Sequence, residues 1–154
     1  MLRMSRLTDY GTVLLAHLAS NDVNRCISAA ELATISSIAL PTVSKLLKLL
    51  AKAELVYSTR GAHGGYHLAR KPQQISAAEV IDALEGPVSI TECSSSNSHC
   101  NYESICNVGN AWQRVNIAIR SALDDISLAD LQLVNNPIPR LKLGGIPINV
   151  GRKH

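Results

Sequence analysis

Residues 28–69, SAAELATISSIALPTVSKLLKLLAKAELVYSTRGAHGGYHLA, hold the change from helical to extended patterning on which the fold turns. Ser28-Ala-Ala-Glu31 is a capping-box pattern, in which the serine takes an amide of the first turn and the glutamate reaches back. It predicts a short helix through about Ser36. Pro41 suits a first helical turn, where its missing N–H costs nothing. Behind it Val43, Leu46, Leu47 and Leu50 recur at helical spacing and mark one buried stripe. Ser44, Lys45, Lys48 and Lys52 lie away from that stripe. Past Ala53 the period shortens. LVYST (55–59) reads as a strand, RGAHGG (60–65) as a glycine-rich turn whose Gly64 and Gly65 supply backbone freedom, and YHLA (66–69) as the returning strand. Pro72 ends the unit.

Upstream, Val13, Leu14, His17 and Leu18 give residues from about Leu7 to Ser20 an apolar face, and Asn21-Asp22 offers a stop. Three helices, the last two joined by a short connection, followed by a hairpin, is the order of a winged helix-turn-helix. A small helical domain with an incidental hairpin is the plainer reading. Downstream, a second capping box, Ser76-Ala-Ala-Glu79, predicts a helix through about Glu85, closed by Gly86-Pro87. A loop spans roughly 88–107, and a long helix runs from Val108 to about Asp125. Its apolar positions Val108, Trp112, Val115, Ile119, Ala122 and Ile126 alternate steps of four and three, the seam by which two helices pair. Packing on its own domain is the alternative. The expected fold is mainly α with a small β-hairpin: a winged helix-turn-helix plus a long dimerisation helix, working as a homodimer. The expected division is a DNA-binding domain over 1–71, a loop and dimerisation helix over 72–133, and a flexible basic tail over 134–154.

A chain of 154 residues, 46% apolar but with no Phe, must build its core from Leu, Ile, Val and Ala. No apolar run approaches the roughly 18 residues that cross a bilayer, and the start lacks a secretory h-region. A cytoplasmic protein without membrane contact is expected, where thiols stay reduced. The net charge of +3 is unevenly spread: +5 over residues 1–71, −6 over 72–133 and +4 over the tail. A basic front and an acidic middle fit a nucleic-acid-binding module joined to a part with another task. No catalytic carboxylate pair, nucleophile–base arrangement or phosphate-binding glycine loop is present, so neither an enzyme nor a small-molecule substrate is expected.

A recognition helix sets short polar and basic side chains in the major groove while its other face holds the core. Thr42, Ser44, Lys45 and Lys48 meet that requirement. Arg60, at the base of the glycine-rich turn, suits a narrow minor groove. His63, in the same turn, completes the candidate contacts to promoter DNA, although mere exposure would place it there too. Cys93, Cys100 and Cys106 sit in TECSSSNSHCNYESIC, a polar stretch with too few apolar residues to bury them. Three thiols cannot all pair with one another, but clustered thiolates can converge on one soft metal centre. Cys26 lies apart and reads as an idle or buried thiol.

LTDYG at the start of a helix, RGAHGGYHLAR in the wing, ISAAEVIDALEG after it and a three-cysteine loop before a Trp-containing helix occur in that order. Together they resemble the Rrf-type winged-helix regulators of bacteria, IscR-like and NsrR-like, over about residues 1–133. The opening MLRMSRLTDYGTVLLAHLA is most similar to the branch that regulates the SUF iron–sulfur assembly operon. The resemblance implies a homodimeric repressor carrying an iron–sulfur cluster, two-iron or four-iron, ligated in each subunit by Cys93, Cys100 and Cys106. IscR-like members use a histidine three residues after the last cysteine, where this chain has Gly109. NsrR-like members use an aspartate from the partner's first helix, which Asp9 matches. Asp9 is therefore the candidate fourth ligand; His99 is the alternative, and a helix N-cap is the purely structural reading of Asp9. A nitric-oxide-sensing NsrR-like repressor and a DNA-binding protein with structural zinc stand as alternative functions.

Overall fold

A computed structural model describes residues 4–21, 25–61, 64–91, 108–133, 142–143 and 146–147. Helix α1 (Arg6–Ala19) starts at Ser5, whose side chain accepts the Thr8 amide. Helix α2 (Ala29–Ser36) starts at Ser28, which caps the Glu31 amide as expected. Glu31 does not complete the box; its carboxylate pairs instead with Arg25 at 2.6 Å. Ser37 turns the chain in the left-handed region (φ 57), and α3 (Leu40–Lys52) follows. The two helices are bent by 117° across this break, within the range of a helix-turn-helix.

Strands β1 (Val56–Thr59) and β2 (Gly65–Leu68) pair antiparallel, with Val56 opposite Leu68 and Thr59 opposite Gly65. Ile27 adds a single bridge to Tyr66, through hydrogen bonds of 3.0 and 2.8 Å, so the wing gains a third rung just before α2. That rung explains the glycines. A side chain on Gly65 would lie 2.7 Å from the Ile27 backbone, so glycine provides room there, whereas the turn uses positive φ at Gly61 (φ 122).

A short 3-10 turn (Pro72–Gln74) leads to α4 (Ala77–Glu85), opened by the full capping box of Ser76 and Glu79. Helix α5 (Gly109–Asp124) occupies nearly the expected span, and α6 (Leu128–Gln132) follows it. Helix α6 is absent from the sequence reading, although Ser127-Leu-Ala-Asp130 carries the signal of a cap. The junction between α5 and α6 is stitched back to the 3-10 turn by Ala77 N to Ile126 O at 2.7 Å and Leu128 N to Ile75 O at 2.8 Å. In the tail, β3 (Lys142–Leu143) pairs with β4 (Ile146–Pro147).

The core is aliphatic. Leu14 and Leu15 of α1, Leu32 of α2, the stripe Val43, Leu46, Leu47 and Leu50 of α3, Val56 of β1 and Leu128 of α6 are fully buried together. Each such side chain contributes roughly 1.5–3 kcal/mol by leaving water. This packing fixes α3 by one face and leaves its other face open.

Candidate nucleic-acid interface and cluster segment

Helix α3 presents Lys45, Lys48 and Lys52 to solvent, opposite its buried stripe. Among the described residues none of these lysines has an ion-pair partner. Glu31 is paired with Arg25 and Glu79 with Arg70 at 2.7 Å, while Glu54, exposed two residues past Lys52, is in no ion pair among the described residues. Ala39 at the N-cap brings no side-chain oxygen to the amino end of α3. Ser44 is half-buried at the margin of the lysine face. Thr42, also half-buried, turns towards α1, where it lines a cleft of about 390 Å³ with Asp9, Tyr10 and Ser37. Arg60 is exposed where β1 ends, beside Gly61. His63 lies outside the described residues. The open face of α3 and Arg60 at the end of β1 thus present cations that no acid pairs among the described residues. They fit the polyanionic backbone of DNA.

Asp9 is not the N-cap; Ser5 has that role, and Thr8 takes the position the cap reaches. The Asp9 carboxylate is exposed and has no hydrogen-bond or ion-pair partner among the described residues. Besides the cleft shared with Thr42, Asp9 lines a larger groove of about 570 Å³, walled by Thr12, Val80, Ile81, Leu123 and Ile126. Cys93, Cys100, Cys106 and His99 lie outside the described residues. Their segment is bounded by described structure on both sides. At its entry Val88 N donates to Asp82 Oδ1 at 3.3 Å. From the second half of α5, beyond the other end of the segment, Arg120 grips the same Asp82 with Nη1 at 3.1 Å and Nη2 at 2.7 Å. The hydrogen bond to Asp82 pushes the Arg120 guanidinium pKa up. Glu85, hydrogen-bonded by the Thr8 hydroxyl and the Ser5 amide, is held below the ordinary glutamate range.

The seam of α5 divides in two. Ile119 and Ala122 are half-buried, with Ile119 beside Ile81 of α4. Val108, Trp112 and Val115 remain 56%, 43% and 42% exposed. The first half of α5 thus leaves these three apolar side chains without cover. Cys26 is half-buried with its Sγ 3.8 Å from His67 Nδ1. Sequence reasoning missed three participants here, Asp82, Glu85 and Arg120. Their signal was faint: two acids one turn apart at the end of α4, and one of two arginines on an amphipathic helix.

A family model described as Rrf2, iron-dependent transcriptional regulator, matches residues 4–133. Protein rrf2 of Nitratidesulfovibrio vulgaris (strain Hildenborough) is 32% identical over 130 residues, covering 84% of this chain and 87% of that protein. The structure of CymR, the global cysteine regulator of B. subtilis, is similar with a TM-score of 0.68 and 29% identity, over 88% of this chain and 100% of that one. T. potens IscR is similar with a TM-score of 0.63 and 31% identity, over 84% of this chain and 85% of that one. With a winged helix-turn-helix, an open cationic recognition face and a family match over nearly all of its described residues, this chain belongs to the Rrf2 family of transcriptional regulators.

Proposed function

We propose that this chain is a homodimeric, DNA-binding repressor that senses iron–sulfur status and controls iron–sulfur assembly genes of the SUF type. Cys93, Cys100 and Cys106 of one subunit and the partner's Asp9 would hold the cluster, which when bound supplies a redox-active and oxygen-sensitive centre. The observation that carries this reading is the placement of Asp9. Its unpaired carboxylate lies on the wall of an apolar groove, and the exposed apolar half of α5 begins three residues after Cys106. A second copy seating Val108, Trp112 and Val115 in that groove brings its own cysteine segment to this Asp9. Three thiolates and one carboxylate suit iron chemically, and the weaker carboxylate makes one iron labile.

Rrf2 regulators bind DNA and typically dimerise. In the proposed complex Ser44, Lys45 and Lys48 of each subunit meet a major groove, with Thr42 at the edge that faces α1, while Arg60 and His63 reach an adjacent minor groove from the wing. Asp9 and Thr42 line one cleft, so a ligand pulled towards the cluster bears directly on the amino end of α3. The division into a reading head over 1–71, a sensing and dimerisation part over 72–133 and a basic tail over 134–154 belongs to the same proposal. The resemblance to CymR, named as a cysteine regulator, marks the range of signals in the family.

A nitric-oxide-responsive repressor is the second reading, favoured by Asp9 together with Gly109 in place of a histidine. Protein purified without oxygen decides between these and zinc. A visible absorption band with acid-labile sulfide, lost in Cys100→Ser, is the expected result; colourless protein containing zinc overturns the cluster. Titrating the coloured protein with nitric oxide and with an iron chelator, while following operator binding, separates the two signals.

A further inference from the structure

We infer that Glu85 is the positioning residue for Asp9, setting where that carboxylate stands for the partner's cluster. This rests on the cluster reading above. Glu85 is the last residue of α4, and its Oε1 accepts the Ser5 amide at 2.8 Å and the Thr8 hydroxyl. Those two residues define the start of α1: Ser5 is its N-cap, and Thr8 is 1% exposed, the one buried polar side chain among the described residues. A buried hydroxyl without an acceptor is unfavourable, so Thr8 holds to Glu85. Asp9 is the next residue and shares the rigid turn.

One turn further along α1, Gly11 lies so close to α4 that a β-carbon there would overlap Leu84 Cδ1. Leu84 and Glu85 are adjacent. The first prevents α1 from sliding over α4, and the second fixes how its first turn is oriented. Beyond Glu85 the chain turns at Gly86 (φ 92) and runs into the segment that contains the three cysteines. One carboxylate thereby joins the path leading to its own subunit's thiolates with the helix that offers Asp9 across the dimer.

The test uses the full-length dimer, loaded and handled without oxygen. Bleaching of its visible band by a chelator is timed for the wild type, Glu85→Ala, Glu85→Gln, Asp9→Ala and the Glu85→Ala/Asp9→Ala double variant. Loss of a residue that orients a ligand is expected to speed bleaching about tenfold. Asp9→Ala should do likewise, and the double variant should bleach no faster than Asp9→Ala alone. Glu85→Gln keeps an acceptor oxygen and should recover most of the wild-type rate. Amide exchange of residues 6–12 in the cluster-free protein should rise in Glu85→Ala. Should that variant not fold, Thr8→Val removes the same contact from the other side and is read identically. Wild-type bleaching in Glu85→Ala overturns the inference, as does a double variant whose two effects multiply, since a merely structural role would act independently of Asp9. Wild-type protein without colour or sulfide overturns the cluster reading and this inference together, whereas coloured wild type with an inert Glu85 overturns this inference alone.

Discussion

Glu54 stands at φ 58 immediately past α3, where the Leu55 amide reaches back to Leu50 O at 3.0 Å. A left-handed closure of this kind is the position that glycine fills in many helices. A β-carbon there costs roughly 1–2 kcal/mol, partly offset because glycine is freer when unfolded. Glu54→Gly is therefore expected to raise the unfolding free energy by about 0.5–1 kcal/mol, measured by urea denaturation at fixed protein concentration. The sequence points to other positions. Gly64 and Gly65 read locally as freedom for a turn, yet at Gly65 the deciding neighbour is the backbone of Ile27. No pattern around Gly65 reveals a partner so far back in the chain. Glu85 is similar. As one acid before a Gly-Pro stop it is unremarkable, and only the approach of Ser5 and Thr8 gives it a role.

At the scale of elements, the stripe of α3 was legible because a period of 3.6 residues is written directly into the order of Val43, Leu46, Leu47 and Leu50. Their burial leaves Lys45 and Lys48 pointing outwards as expected. Thr42 shares the same helix but turns to the cleft beside Asp9, a placement set by the neighbouring α1. If the two lysines contact phosphates, Lys45→Ala and Lys48→Ala should each weaken binding to operator and unrelated DNA alike and lower the salt slope by about 1. Fluorescence anisotropy over a range of salt concentrations checks this; an unchanged slope would place both lysines off the backbone. Helix α5 was legible in length and seam, yet the seam serves two purposes. Its second half packs beside α4, where Arg120 and Asp82 lock it, while its first half keeps its apolar residues exposed.

At the scale of the whole molecule, the proposed dimer seats that exposed half of α5 in the apolar groove of a second copy. Trp112→Glu places a charge at the middle of the proposed contact, and a charge buried without a partner is strongly unfavourable. Sedimentation should show the variant as a monomer where the wild type is a dimer, and operator affinity should fall with it, because paired reading heads need two half-sites. A variant that stays dimeric would move the interface elsewhere.

By itself the sequence determined the order of the helices and hairpin up to α5, the exposed lysine face of α3 and the aliphatic character of the core. Each of these rests on hydrogen bonding and periodicity within a few residues, which the local order of side chains specifies. Only the tertiary structure decided that Asp9 has no partner among the described residues and lines two grooves, that Glu85 clasps the helix carrying it, and that α5 is half committed to its own subunit. Those outcomes depend on which apolar faces meet and in what register, and that is settled by close packing among distant segments rather than by any period along the chain.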